Sequence, residues 1–205
     1  MIELIAFLGN PGQEYAKNRH NAGRLLAFCL TEWLAFAPAL SWQKKYKGLY
    51  AGLDPALLPA APASGQRAEP IRFLMPETYM NRSGESVQAA SSFFRIPPDR
   101  ILAVHDELEL PLGTAALKFS GGLGGHNGLR SMKACLGTVD FWRLRIGIGR
   151  PNHKDISGWV LSDFSAPERE ILDQVLPAAA AALARALAEG PEALLPEWGK
   201  KVVVR

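Results

Sequence analysis

Six short apolar runs, with segments of helical period between most of them, leave this chain few folds to choose from. The runs are 2–8, 48–53, 71–75, 101–105, 114–119 and 142–148, each bounded by turn residues. Between them, 21–36 carries apolar residues at helical spacing and 84–95 follows Ser83, a side chain suited to an N-cap. A third helical segment, 127–136, stops at Gly137. Ser165 opens a fourth, with Pro167 in its first turn and Glu168 three residues on, a capping-box pattern. Pro177 is expected to kink or split that last helix. Strands alternating with helices predict an α/β fold, a single globule with a central mixed, twisted sheet flanked by helices on both faces. The 205 residues are enough to bury a core as one domain, 1–205, without staples. The segment 54–70, DPALLPAAPASGQRAEP, has no usable period and reads as a surface loop.

Several function classes drop out. The longest apolar runs read as too short to span a membrane, and the N-terminus has neither a basic leader nor a cleavage site. Cys29 and Cys135 sit in apolar helical contexts without a partner at metal spacing, so they read as buried free thiols in a reducing compartment. The expectation is a cytoplasmic monomer with no obligate protein partner and no membrane association. His20, His105, His126 and His153 have no Cys, Asp or Glu at zinc-ligand spacing, so no metal or other cofactor is expected. There is no G-x-S-x-G nucleophile elbow and no Walker-type loop.

Charge is uneven along the chain. From Lys118 to Lys154 seven basic residues face one acidic residue, a local net of +6 in a chain whose total is +3. Such a stretch is either a solvated face or a phosphate-binding patch. The segment 41–50, SWQKKYKGLY, interleaves aromatic and basic residues, which suits base stacking and an amphipathic edge strand equally.

The candidate chemistry lies at the ends of the strands. Asn10 closes the first apolar run, His20 stands just ahead of a helix, and Asp106 lies at or just past the end of the run 101–105. If those two strands are neighbours, His20 and Asp106 share one rim of the sheet, where open α/β sheets hold ligands. A carboxylate bound to an imidazole fixes its tautomer and raises its basicity, so the pair can take a proton from water. Asn10, Asn81 and Asn127 also fall at element ends; their amides suit holding a carbonyl, a water or a developing oxyanion, though turn chemistry favours Asn as well. The Gly-rich run 120–130 allows close backbone approach and leads into a helix N-terminus.

Taken in order, GNPGQEYAKNRHNAG (9–23), PETYMNRSGE (76–85), VHDELELPLG (104–113), LKFSGGLGGHNGLRS (117–131), FWRLRIGIGRP (141–151) and GWVLSDFSAPE (158–168) resemble the bacterial-type peptidyl-tRNA hydrolases from residue 1 to about 176. The resemblance implies hydrolysis of the ester between a peptidyl group and tRNA, with peptidyl-tRNA the partner. It implies that His20 is the general base and Asp106 its orienting acid. Asn10 and Asn81 would contact the peptide and place the water, and Asn127 would hold substrate or water near the 3′ end. Tyr15 and Met80 match positions lining the peptide site, Asn21 is carried over as a substrate-site residue of the RHN motif, and Lys118 and Arg145 match a clamp on the tRNA phosphate end. The chain departs from the pattern at Asn18, where Thr is usual and a polar cap is expected to survive, at Leu123 in the Gly-rich loop, and in the length of 54–70. The alternatives are a non-catalytic RNA-binding protein, as among relatives that assist intron splicing, and a different small-molecule hydrolase. An intact His, Asp and Asn set speaks against the first; the lack of a metal set or acidic cluster speaks against the second.

Overall fold

The computed structural model describes residues 1–33, 40–57, 70–152 and 154–204. Along the chain run β1 (Leu4–Phe7), α1 (Ala22–Trp33), β2 (Gln43–Lys45), β3 (Gly48–Leu53), β4 (Ile71–Pro76), α2 (Ser83–Phe94), β5 (Ile101–Glu107) and β6 (Thr114–Phe119). They are followed by α3 (Asn127–Leu136), β7 (Trp142–Gly147), α4 (Ile156–Leu161), α5 (Ala166–Glu189), α6 (Pro191–Trp198) and β8 (Lys201–Val202). The strands make one sheet in the order β2-β3-β4-β1-β5-β7-β6-β8. Its centre, β4-β1-β5-β7, is parallel. Antiparallel pairs extend it on one side through β3 and β2 and on the other through β6 and β8. This is the predicted mixed α/β sheet.

Both faces are covered. Ile5, Phe7, Leu102 and Val104 point into a core with Leu26 and Leu30 of α1, Val175 and Leu183 of α5 and Leu194 of α6. Leu4, Ala6 and Ala103 point the other way, against Val87 of α2 and Leu129 and Met132 of α3. Double-sided burial is why the central strands read as unbroken apolar runs rather than alternating ones. Each fully buried Leu, Ile or Phe here contributes about 1.5–3 kcal/mol. At Gly84 the α2 and α3 backbones touch, since a Cβ there would meet the Ser131 carbonyl oxygen at 2.2 Å.

Several expectations are corrected. β5 runs two residues past the apolar run 101–105, so of the two placements expected for Asp106 it takes the one at the strand end, as the last residue but one. Ser83 is the first residue of α2 and its hydroxyl donates to the Met80 carbonyl at 2.9 Å, so it caps nothing. The α5 helix runs through Pro177 unsplit, and its capping box holds, with the Glu168 carboxylate accepting from the Ser165 N–H at 2.7 Å. By length and composition α5 is also apolar enough to cross a membrane, contrary to the sequence reading, but 61% of its most apolar window is buried inside the fold, where it packs on α1, β6 and β7. The segment 41–50 holds the edge strand β2, which is exposed throughout rather than amphipathic. Cys29 and Cys135 form no disulfide and are only half-buried. The far end of the predicted 21–36 helix and most of the 54–70 loop lie outside the described residues; Pro55–Leu57 form a helical turn.

Candidate active site

After β1 the chain passes to α1 on one face; after β4 it passes to α2 on the other. The crevice between the carboxyl ends of two strands whose connections diverge in this way is a natural ligand site. Asn10 and Met80 meet there. The Asn10 Oδ1 accepts from the Met80 N–H at 2.8 Å, which leaves its Nδ2 as a donor. The Asn10 backbone is held in turn by Asn21, whose Oδ1 accepts from the Asn10 N–H at 2.8 Å and whose Nδ2 donates to the Asn10 carbonyl at 3.0 Å. Both polar atoms of the buried Asn21 side chain thus engage the Asn10 backbone and position it.

β1 and β5 are parallel neighbours. The turn Arg19–Asn21 sits over their ends because Gly23 lets α1 start against the strands; a Cβ there would lie 2.4 Å from the Val104 carbonyl oxygen. This brings the buried His20 and Asp106 together, with His20 Nδ1 at 2.9 and 3.0 Å from the two carboxylate oxygens. The Nδ1–H therefore donates to the carboxylate, and Nε2 is left as the basic nitrogen. Burial disfavours the imidazolium, but the Asp106 charge and hydrogen bond outweigh it, and the His20 pKa stands above its ordinary 6.5. Burial pushes Asp106 upward, yet the charges and hydrogen bonds of His20 and His126 hold its carboxyl well below the usual carboxylate range.

His126 belongs to this centre and was not predicted. It caps α3, its Nδ1 accepting from the Gly128 and Leu129 N–H groups at 3.1 and 3.3 Å. An accepting Nδ1 places the proton on Nε2, which donates to Asp106 Oδ1 at 3.0 Å. Histidine is an uncommon N-cap, and the Gly-Gly-His-Asn-Gly run drew attention to Asn127 instead. His20, Asp106 and His126 are also the group, among the described residues, whose donor atoms lie close enough to hold a metal ion. The sequence spacing had given no sign of it. Their donor atoms face one another at hydrogen-bond distance, and Asp106 Oδ1 is shared by both imidazoles, so as arranged they satisfy each other.

The crevice has two compartments that meet at His20, Asn127, Ser157 and Val160. One, of about 210 Å³, is bounded by Asp106, His126, Gly124 and Gly125. The other, of about 370 Å³, is bounded by Asn10, Tyr15, Tyr79, Met80 and Asn81. The short helix α4 closes both from outside. It is strapped to the turn Arg19–Asn21 by Arg19, whose guanidinium donates to Ser162 Oγ at 2.7 Å and to Glu168 at 2.6 Å and stacks on the Trp159 ring at 3.8 Å. Neither α4 nor this strap was foreseen. Asn18, expected to act as a cap, makes no side-chain cap bond and instead pairs through its backbone with Asp163.

Lys118 and Arg145 line neither compartment, and of the two Arg145 contacts a residue that walls the first. Arg145 on β7 approaches Glu107, one of the lining residues, at 3.6 Å. Lys118 is exposed on β6, in register with Arg143. The basic stretch is not a uniform patch. Arg143 is buried and donates to the Gly121 and Gly122 carbonyls, holding the Gly-rich loop from inside, and Arg150 pairs with Glu109. Leu123 of that loop packs on the α2–α3 core.

The chain matches the family model described as peptidyl-tRNA hydrolase over residues 4–202, further than the resemblance read from the motifs. It is 45% identical to a peptidyl-tRNA hydrolase of Pseudomonas paraeruginosa, covering 96% of this chain and 92% of that one. It is 48% identical to one of Treponema pallidum, covering 82% and 78%. The crystal structure of peptidyl-tRNA hydrolase from Acinetobacter baumannii superposes with a TM-score of 0.78 at 37% identity, covering 94% of this chain and 91% of that one. The chain belongs to the peptidyl-tRNA hydrolase family and is a hydrolase acting on peptidyl-tRNA.

Proposed function

We propose that this single domain cleaves the ester by a water that His20 activates. The observation that carries this is the buried imidazole bound through Nδ1 to Asp106, at the junction of the two compartments. Water attacks the acyl carbon while His20 Nε2 takes its proton. The ester carbon–oxygen bond then breaks, and the imidazolium returns the proton to the departing ribose oxygen. The products are a free peptide carboxyl group and tRNA. Asp106 orients the base and offsets its positive charge, and His126 fixes Asp106 from the other side. Amide donors of Asn10, Asn81 and Asn127 hold the acyl carbonyl, the water and the developing oxyanion. The acyl group lies in the compartment walled by Tyr15 and Met80, and the 3′ ribose in the one walled by Gly124 and Gly125. Lys118 and Arg145 clamp phosphate on the side of the ribose compartment. The enzyme acts as a cytoplasmic monomer without a protein partner.

The test is turnover of N-acetyl-aminoacyl-tRNA by His20→Ala. General-base catalysis supplies about 10²–10⁴-fold, so the variant should lose at least that much while keeping its fold. Wild-type cleavage by the folded variant would end the proposal.

A further inference from the structure

Beyond Tyr79 the acyl compartment opens into a second groove, which none of the catalytic steps uses. Tyr79 lines both, and Pro11 of the groove adjoins Asn10 of the compartment. The groove is broad, about 780 Å³, and its far wall is the β2–β3 hairpin. Its lining carries the cations Lys44, Lys45, Lys47 and Arg82 against the acids Glu77 and Glu85. Lys47 and Arg82 both pair with Glu85. Lys44 and Lys45 make no ion pair among the described residues. The Thr78 hydroxyl on the same wall is buried without a hydrogen-bond partner among them.

The hairpin wall is anchored. Tyr46 and Lys47 turn with φ of 54° and 55°, backbone that L-residues adopt reluctantly. The Tyr46 carbonyl accepts from Ser86 Oγ at 2.6 Å, and the Tyr46 ring packs among Tyr50, Phe93 and Phe94. Among the described residues the outer side of β2 has no strand neighbour, so its backbone groups are open to an extended chain.

Direction follows from sheet order. The reacting ester must sit over β1 and β5. Lys118 and Arg145 lie on β6 and β7, to one side; the groove lies over β4, β3 and β2, to the other. A substrate gripped by its phosphate on the first side sends its peptide toward the second. Resting on the function proposed above, we propose that this groove is a subsite for peptide residues upstream of the esterified one, with a preference for acidic side chains set by Lys44 and Lys45.

Three substrates separate the possibilities: N-acetyl-aminoacyl-tRNA, too short to reach the groove, and peptidyl-tRNAs extended by several Glu or by several Lys. Wild type should favour the Glu extension over the Lys extension, mainly through KM, by up to about fivefold per lysine as for exposed ion pairs. The double variant Lys44→Glu, Lys45→Glu should erase or invert that preference and leave N-acetyl-aminoacyl-tRNA unaffected, which also shows that it folds. An unchanged preference would overturn the proposal. So would equal losses on all three substrates with a weaker salt dependence, since the groove would then hold tRNA. The role of His20 is judged separately, by His20→Ala on the short substrate.

Discussion

Asp106→Asn is the most informative single change, because the structure fixes how the new amide must sit. His126 Nδ1 is committed to two backbone N–H groups, so its Nε2–H points at Asp106 Oδ1. In the variant that donor keeps the amide oxygen on its own side, which turns the amide NH₂ toward His20 Nδ1. The His20 Nδ1–H then meets that NH₂ at the Oδ2 position, 3.0 Å away, as well as the shared oxygen at 2.9 Å, and the clash of donors shifts His20 toward the tautomer that accepts at Nδ1 and carries its proton on Nε2. The base is then blocked by its own tautomer, and the negative charge that stabilised the imidazolium is gone. Losing general-base catalysis costs about 10²–10⁴ in rate, or roughly 3–5 kcal/mol of transition-state stabilisation. The assay is single-turnover release of N-acetyl-amino acid from its tRNA, beside a thermal melt to confirm folding and ¹⁵N NMR to read the tautomer. A folded variant with its proton on Nε2 and wild-type turnover would refute the reasoning.

Other outcomes follow from the same geometry. Lys118→Ala and Arg145→Ala should each weaken tRNA binding and lower the slope of log K against log salt by about one; an unchanged slope in both removes the clamp. Arg19→Met should cost roughly 1–3 kcal/mol in urea unfolding, since it unpairs polar groups at the α4–α5 junction, and should raise KM because α4 walls both compartments; an unmoved KM would mean that α4 needs no strap. His105 is fully buried, its Nδ1 bound to the Asp106 carbonyl at 2.6 Å, and burial together with neighbouring charge holds its pKa well below 6.5. The unfolded chain therefore binds a proton there that the folded one does not, so its contribution to stability falls as pH drops below 6.5. His105→Asn should flatten that part of the urea-midpoint profile, and an unaltered profile would exclude His105 as its source.

The sheet was legible because its central strands are buried on both sides and leave unbroken apolar runs. The His20–Asp106 pairing was legible in part for the same reason: Asp106 adjoins one such run, and His20 stands at the turn between another and the helix that follows it. What escaped was held by side chains doing uncommon work. His126 caps a helix where Ser or Asp is usual, so nothing local marked it. Arg143 looked like its neighbour Arg145, and only the fold turns one inward to the Gly-rich loop and leaves the other beside the site. α4 is six residues long and stands on contacts to Arg19, more than a hundred residues away in sequence. β2 is Gln-Lys-Lys, fully exposed and without an apolar face, and exists because β3 pairs with it.

The most direct test of His20 as the base is to titrate its imidazole by NMR in the intact enzyme and to measure kcat/KM across the same pH range. Activity should rise with pH through a midpoint above 6.5 that coincides with the His20 titration. An imidazole that changes charge where the rate is flat, or a rate that rises where His20 is silent, would contradict it.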